Sequence, residues 1–316
     1  MEFKKLFNLQ KSFSEACFSS EGLSESEKIE KHKTFCLALH DEATQLANAV
    51  HFKDHRQVTS STDRQKILYE SIDVIRYALA TLNLWNFSDS EVLDAFLSRD
   101  LHLWDKKKKP ITSWKDQPVV IVDVDDVIAK FREGFFGWLN ENFGLTLTPE
   151  HPEYYYSGPA GNITGEEAFA QFIEQGGFLE LPVSKNLKNA LSQMRSNGIW
   201  VQLLTARPSD NLKCLYDTYM WLDHAGIEYD NISFSFEKYR WLSDKPFYNK
   251  GKVICAIDDS PKHASEYASQ GISVLVPKRT YNKEVWNNNN IVTFDWEEDN
   301  VNEIIQSVFP GSFPNS

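Results

Sequence analysis

The spacing of apolar residues along the chain changes near its middle. In residues 1–103, apolar side chains recur every three or four positions, as on one face of a helix. One such segment follows Ser24 and Glu27, a capping-box pattern that predicts a helix start. No alternating strand pattern interrupts this half. We therefore expect residues 1–103 to form an all-α helical bundle.

The second half has a different pattern. Residues 104–117 contain four consecutive lysines followed by proline, which predicts a linker. Beyond it, short runs rich in β-branched residues alternate with helical segments. The predicted strands are residues 119–124, 200–205, 232–236, 253–258 and 272–276. Such alternation predicts that residues 118–316 form an α/β, Rossmann-like domain with a parallel, doubly wound sheet.

Acidic side chains collect at the predicted strand ends. Asp123 and Asp125 end the first strand, and Asp258 and Asp259 end the fourth. Because parallel sheets place chemistry beyond their carboxyl edge, these carboxylates should meet Thr205 there. Clustered like charges need a cation, and oxygen ligands suit Mg²⁺. One carboxylate could attack a phosphoryl group while another moves a proton.

Each of these motifs taken alone is more simply explained as a helix cap or a turn. Their occurrence in this order on three strand ends favours a catalytic site. The formal net charge of −12 argues against a nucleic-acid polymer as partner. No apolar run is long enough to cross a membrane, and the four scattered cysteines favour a reducing, cytoplasmic location.

The segments "IVDVDDVIAKF", "VQLLTARP" and "VICAIDDSPKHA" resemble successive motifs of the haloacid dehalogenase (HAD) superfamily of phosphohydrolases. Within it, residues 118–309 look most similar to the deoxyribonucleotidase-like branch. The resemblance implies that Asp123 is the nucleophile and Asp125 the general acid and base. It also implies that Thr205 holds phosphate, with Ala206 and Arg207 beside the substrate.

The same resemblance implies a Mg²⁺ cofactor and a charge-balancing lysine. The implied metal ligands are Asp123, Asp125, Asp258 and Asp259. The sequence offers Lys245, Lys250 and Lys252 for the lysine, and the "DK" context favours Lys245. Asp126 stands where this family commonly has glycine, which could alter the loop or the metal affinity.

A helical cap insertion is expected at roughly residues 145–183. In this superfamily the cap closes over the substrate and selects it. Tyr154, Tyr155, Tyr156 and Phe172 could stack on a base, or they could instead pack the core of the cap itself.

The helical half contains two polar pairs three residues apart, Glu42 with Gln45 and Glu70 with Asp73. Each pair lies on one face of its helix, so a helical hairpin could hold Mg²⁺ between them. From spacing alone, an ordinary solvated acidic face is the better interpretation.

Residues 6–84 resemble the all-α nucleotide pyrophosphohydrolases of the MazG and dimeric dUTPase group. The segments that carry the likeness are "LALHDEATQLANAVHFKDHR" and "ILYESIDVIRYALATL". The implied metal positions are Glu42, Gln45, Glu70 and Asp73. Gln45 replaces a carboxylate of that pattern, which removes one negative charge. Gln10 and Asn48 would approach the nucleotide, and Lys53 its phosphates.

These expectations describe a Mg²⁺-dependent nucleotide hydrolase. The helical half would convert a (deoxy)nucleoside triphosphate to monophosphate, and the α/β half would remove the last phosphate. One alternative is a phosphatase whose helical half only binds nucleotide or dimerises. Another is a sensing or interaction protein without turnover. A homodimer through the helical half is expected in the leading hypothesis.

Overall fold

A computed structural model describes six stretches of the chain, namely residues 3–18, 22–49, 63–107, 114, 117–153 and 158–308. The chain divides into two compact units, Met1–Phe96 and Leu97–Ser316. Within the described residues, every helix is too short or too polar to cross a membrane.

The first half is helical, as expected. Its helices are α1 (Phe3–Phe18), α2 (Glu25–Asn48), α3 (Arg64–Leu84) and α4 (Asp89–Lys107). Ser24 caps α2 through the predicted capping box, in which Glu27 bonds back to the Ser24 backbone. Helices α2 and α3 pack together, and a small core of Phe35, Ala80 and Leu84 lies between them.

Helix α4 continues through residue 107, so the first residues of the expected linker are helical. Lysine is a good helix former, so part of the lysine run can extend a helix that has already begun. The linker prediction was therefore wrong for residues 104–107.

The second half contains the predicted parallel sheet. Its strands are β1 (Val119–Val122), β2 (Trp200–Thr205), β3 (Asn231–Phe234), β4 (Val253–Ile257), β5 (Val274–Pro277) and β6 (Ile291–Phe294). All pairs are parallel, in the order β3-β2-β1-β4-β5-β6. This is the doubly wound order of Rossmann-like folds. The chain direction across the sheet reverses at β1, which places the crevice for a ligand there.

Strand β6 was not among the strands predicted from the sequence. This strand has four residues and follows a run of asparagines, so it offers too short a pattern to read. In the structure β6 pairs with β5, from Val274 with Ile291 to Pro277 with Phe294. This pairing between separate segments identifies the strand.

Helices surround the sheet. They are α5 (Phe131–Phe143), α6 (Gly165–Glu174), α7 (Lys185–Ser196), α8 (Leu212–His224), α9 (Lys238–Ser243), α10 (Pro246–Asn249), α11 (Pro261–Ser269) and α12 (Val301–Val308), with 3-10 helices at Gly177–Glu180 and Thr280–Val285. Both faces of β1 are buried, as a central parallel strand requires.

The expected cap region is helical and packs on α5 through aromatic rings. Phe172 of α6 is buried, and its ring contacts Phe135 and Phe178 edge-on. Phe172 therefore belongs to the core of the cap, which decides between the two roles considered for it. Tyr154, Tyr155 and Tyr156 lie outside the described residues.

Candidate active site

Three strands deliver polar side chains to one edge of the sheet. Asp123 directly follows β1, Thr205 ends β2, and Asp258 directly follows β4. The Asp123 backbone N–H donates to the Ile257 carbonyl (2.9 Å), so the sheet ladder itself holds this aspartate beside β4. The sequence-predicted aspartates of these two strands and the threonine are therefore brought to a common edge.

The side chains of Asp123, Asp258 and Asp259 form a buried carboxylate cluster. One oxygen from each lies within 4.8 Å of the others. Burial raises the pKa of Asp123 to about 6; Lys238 opposes this rise, and Asp258 and Asp125 add to it. Burial likewise raises the pKa values of Asp258 and Asp259. Three carboxylates at such distances require a cation or protons.

This cluster fits a hard divalent cation. All of its side-chain donors are oxygens, the ligands that Mg²⁺ prefers. Asp259 Oδ2 accepts a hydrogen bond from the Tyr281 hydroxyl (2.6 Å), whereas its buried Oδ1 has no hydrogen-bond partner among the described residues. A buried carboxylate oxygen without a hydrogen-bond donor is chemically able to bind a cation.

The lysine of this cluster is Lys238. Its Nζ lies 2.7 Å from Asp123 Oδ1 and 2.8 Å from Asp258 Oδ2, and the side chain is 1% exposed. The two carboxylates raise the lysine pKa above its ordinary value even though burial acts in the opposite direction.

The choice of Lys245 was wrong, because its Nζ instead lies 4.3 Å from the ring centre of Trp241. Lys250 Nζ lies over Trp114 at 5.0 Å. One signal in the sequence points to Lys238. It follows the end of β3 by four residues, and the carboxyl ends of parallel strands share one edge.

Arg207 was expected at the substrate, but its guanidinium binds Asp125. Arg207 Nη2 lies 2.7 Å from Asp125 Oδ1, and Arg207 Nε lies 3.0 Å from Asp125 Oδ2. The backbone N–H of Arg207 donates to Thr205 Oγ1 at 3.2 Å. Ala206 lines the adjoining cavity.

Asp126 takes the position where glycine is common by adopting a left-handed backbone with φ of 51°. Aspartate tolerates this region better than most side chains. Its Oδ1 accepts from the Arg132 backbone N–H (3.1 Å). Burial raises its pKa to about 7. The loop therefore keeps its turn without glycine, with an additional buried carboxyl group in it.

A cavity of about 430 Å³ opens above these groups. Its polar lining includes Asp123, Asp125, Asp126, Arg207, Asp259, Lys262 and His263. Its apolar lining comprises Phe131, Phe169, Phe178, Ala206, Pro208 and Phe236. The cavity therefore combines charged side chains with an aromatic lining, as binding sites for small molecules do.

The helical half brings three of its predicted metal positions together. Carboxylate oxygens of Glu42, Glu70 and Asp73 lie within 4.8 Å of one another. Partial burial first, and then Asp73 and Glu70, raise the pKa of Glu42. Gln45 is exposed, and its amide nitrogen donates to Asp41 at 3.1 Å.

The other residues of this half that were expected near the nucleotide are Gln10, Asn48 and Lys53. Gln10 is buried, and its Oε1 accepts from Arg76 Nε at 3.4 Å. Arg76 in turn lies 3.7 Å from Asp73, so Gln10 is linked to one of the clustered acids. Asn48 is exposed at the end of α2, and Lys53 lies outside the described residues.

In comparisons with known proteins, the chain matches one protein family and is similar to several solved structures of low sequence identity. The family described as 5′ nucleotidase, deoxy (pyrimidine), cytosolic type C protein (NT5C) matches residues 117–305. No curated protein matches the chain.

Several solved structures are similar to part of the chain. A protein from Clostridium difficile assigned as a phosphatase shares 16% identity at a TM-score of 0.44, covering 60% of this chain and 99% of its own. One from Thermotoga maritima assigned as a β-phosphoglucomutase shares 18% at 0.43, covering 60% and 98%. CbbY from Rhodobacter sphaeroides in complex with phosphate shares 15% at 0.39, covering 56% and 92%.

Proposed function

Because the chain belongs to the family of deoxy (pyrimidine) 5′ nucleotidases of cytosolic type C, we propose that its α/β unit dephosphorylates a deoxyribonucleoside monophosphate. The protein is a hydrolase of phosphomonoesters. The observation that carries the finer proposal is the position of Asp123. Its carboxylate, paired with the buried Lys238, borders a cavity that aromatic side chains also line.

In the first step, Asp123 attacks phosphorus and the bond from phosphorus to the sugar oxygen breaks. Asp123 Oδ1 already accepts from the Val124 N–H (2.7 Å) and from Lys238, so we assign the attack to Oδ2. Asp125 gives its proton to the leaving sugar oxygen, which leaves as the nucleoside hydroxyl.

In the second step, water attacks the aspartyl phosphate, and Asp125 takes a proton from that water. The bond between Asp123 and phosphorus breaks, and inorganic phosphate is released. Lys238 offsets the negative charge beside Asp123 throughout. Thr205 lies at the end of β2, where its position suits a contact with phosphoryl oxygens.

We propose Mg²⁺ as the cofactor of this site. Asp123, Asp258 and Asp259 would hold it with their side chains, and Asp125 with its backbone carbonyl. When bound, the ion supplies positive charge that polarises the phosphoryl group. The unpaired Oδ1 of Asp259 is the observation in favour of this assignment.

The test is a time course of phosphate release from a panel of nucleoside monophosphates in Mg²⁺, for wild type and Asp123→Asn. We expect Asp123→Asn to abolish release without unfolding the protein. Glu141→Gln, an exposed acid on α5, serves as the matched control and should retain activity. Undiminished release by Asp123→Asn would remove the proposed nucleophile.

We further propose that the helical half hydrolyses the matching nucleoside triphosphate to monophosphate and pyrophosphate. Three carboxylates converging from α2 and α3 support a metal site there. The fusion is chemically coherent, because the product of this half would be the substrate of the other. Gln45 points against full activity, because its amide is engaged with Asp41 and carries no charge.

The same assay, extended to nucleoside triphosphates, tests whether the helical half is an active pyrophosphohydrolase or one that Gln45 has weakened. If it is active, pyrophosphate should appear in wild type and be lost in Glu70→Gln. If Gln45 has weakened the site, Gln45→Glu should raise pyrophosphate release. Absence of pyrophosphate in both wild type and Gln45→Glu would leave a nucleotide-binding or assembly module.

Apolar side chains exposed on the helical half support the proposed homodimer. Helix α1 exposes Leu6, Leu9 and Phe13, and helix α3 exposes Leu68, Ile72 and Ile75. In each helix these residues share one face, and soluble monomers rarely leave such stripes uncovered. Light scattering should give twice the chain mass; a monomer at micromolar concentration would contradict the proposal.

A further inference from the structure

Arg207 contacts the carboxylate of Asp125 through two nitrogen atoms. We propose that Arg207 is a positioning residue that fixes the carboxylate of Asp125 for proton transfer to the leaving group. This inference rests on the proposed function, because it takes Asp125 as the group that moves the proton.

The contact between the two side chains is a fork of parallel bonds. Arg207 Nη2 donates to Asp125 Oδ1 (2.7 Å), and Arg207 Nε donates to Oδ2 (3.0 Å). Such two-point contact sets the plane of the carboxylate as well as its position. The Arg207 side chain is 1% exposed, whereas that of Asp125 is 25% exposed. The guanidinium is thus closed off behind a carboxylate that remains open to the cavity.

The guanidinium is itself held from the other side. Arg207 Nη1 donates to Thr218 Oγ1 (3.0 Å) on α8, and the Thr218 hydroxyl donates to the Cys214 carbonyl (2.7 Å). The rings of Phe178 and Trp221 lie 4.1 Å and 5.6 Å from the guanidinium carbon. Arg207 is therefore confined by hydrogen bonds and aromatic rings, and its preferred orientation is transmitted to Asp125.

The available donors also argue against a direct role at the phosphate. Nε and Nη2 of Arg207 each direct an N–H group to Asp125, and Nη1 directs one to Thr218. A phosphate could take the two N–H groups that face Asp125 only by displacing that carboxylate. The second N–H groups of Nη1 and Nη2 belong to a side chain that is only 1% exposed. Two lysines also lie at this site. Lys238 pairs with Asp123 and Asp258, and Lys262 lines the cavity, whereas Arg207 forms the ion pair with Asp125.

The chemistry of the leaving group separates positioning from binding. A nucleoside leaves as an alkoxide unless Asp125 protonates its oxygen, so phosphorus–oxygen cleavage depends on that proton. p-Nitrophenolate is a stable anion and leaves without one. Loss of Asp125 alignment should therefore slow cleavage of a nucleoside monophosphate and spare p-nitrophenyl phosphate.

The experiment compares kcat/KM for the preferred nucleoside monophosphate and for p-nitrophenyl phosphate in Arg207→Lys. This constant reports the steps up to departure of the leaving group. A lysine cannot make the two-point contact. We expect a fall of about 10-fold to 100-fold for the nucleotide, within the range of general acid catalysis, and of less than about threefold for the aryl ester.

A second variant covers the case in which Arg207→Lys does not fold. Thr218→Val keeps the side-chain shape and removes the hydroxyl, which is the acceptor for Nη1 and the donor to the Cys214 carbonyl. It should change the ratio of the two kcat/KM values in the same direction by a smaller factor. Thr218→Ser retains the hydroxyl and should restore the wild-type ratio.

Equal losses on both substrates, or no loss on either, would overturn the positioning role. An equal loss confined to KM would indicate that Arg207 binds the substrate. Asp123→Asn, measured on the same two substrates, tests the proposed function separately. If that variant retains activity the proposed function fails, whereas an inactive Asp123→Asn with an unchanged ratio in Arg207→Lys refutes only the role of Arg207.

Discussion

Replacing Lys238 by methionine should both destabilise the α/β unit and abolish phosphate release. Methionine keeps most of the length of the lysine side chain but carries no charge. The lysine Nζ contacts Asp123 at 2.7 Å and Asp258 at 2.8 Å, and these three side chains are at most 5% exposed. Without Lys238, two buried carboxylates lose their counter-charge.

The expected loss of stability depends on two opposing contributions, the attraction between the charges and the desolvation of the lysine. At an effective dielectric constant of about 20, unit charges about 3 Å apart attract by about 5–6 kcal/mol. Desolvation of the buried ammonium offsets much of this gain, but the carboxylates stay buried after the substitution. Breaking a buried pair by removing one partner costs about 3–5 kcal/mol, and we expect a loss in that range for Lys238→Met.

The assay is urea unfolding of the full chain in EDTA, so that no metal replaces the lost charge. Lys262→Met, an exposed lysine on the cavity wall, is the control for stability and should change it by less than about 0.5 kcal/mol. Lys245→Met is the control for activity. It should lose no more than a cation–π contact, about 0.5–1 kcal/mol, and keep phosphate release. Wild-type stability in Lys238→Met, or equal inactivation by Lys245→Met, would refute this reasoning.

Three further predictions test the packing and the charges elsewhere in the chain. Burial raises the pKa of Asp217, and Lys213 opposes this rise only in part. The folded protein therefore loses stability as the pH rises above about 4, the pKa of aspartate in the unfolded chain, because Asp217 must then ionise where it is buried. Asp217→Asn should therefore have a higher Tm than wild type at pH 7 and the same Tm near pH 3; a gain that persists at pH 3 would contradict the assignment. Gly177→Ala would drive a methyl group into the Phe172 ring and should cost about 1–3 kcal/mol in urea unfolding. Its control, Gly137→Ala in α5, meets no atom within 4 Å and should be neutral or stabilising by up to about 1 kcal/mol. In the helical half, Phe35→Ala should cost about 3–5 kcal/mol, whereas Leu37→Ala, at a side chain 72% exposed, should cost less than about 0.5 kcal/mol; equal costs would show that Phe35 is not in a core.

The parallel sheet was predictable because each of its central strands carries a strong local signal. The four buried residues of β1 are all β-branched, and β2 is apolar at four of its six positions. The site aspartates were predictable for the same reason. They stand directly at the ends of these strands, so alternation of strand and helix was sufficient to bring Asp123, Thr205 and Asp258 to one edge.

Other features depended on contacts between distant segments. Strand β6 forms only by pairing with β5. Lys238 reaches Asp123 because β3 and α9 return the chain to the same sheet edge, 115 positions further along the sequence. The "DK" context that favoured Lys245 is a local pattern, so it contains no information about which lysine reaches Asp123.

The sequence by itself determined which strand-end residues could carry the chemistry, because residue type and strand period are properties of short segments. Only the tertiary structure decided how those residues pair. Arg207 of "LLTARP" was expected beside the substrate, yet Thr218, Phe178 and Trp221 orient its guanidinium onto Asp125. A charged side chain can serve several acceptors, and the packing around it selects one. That selection involves elements far apart in the chain, so no local pattern contains it.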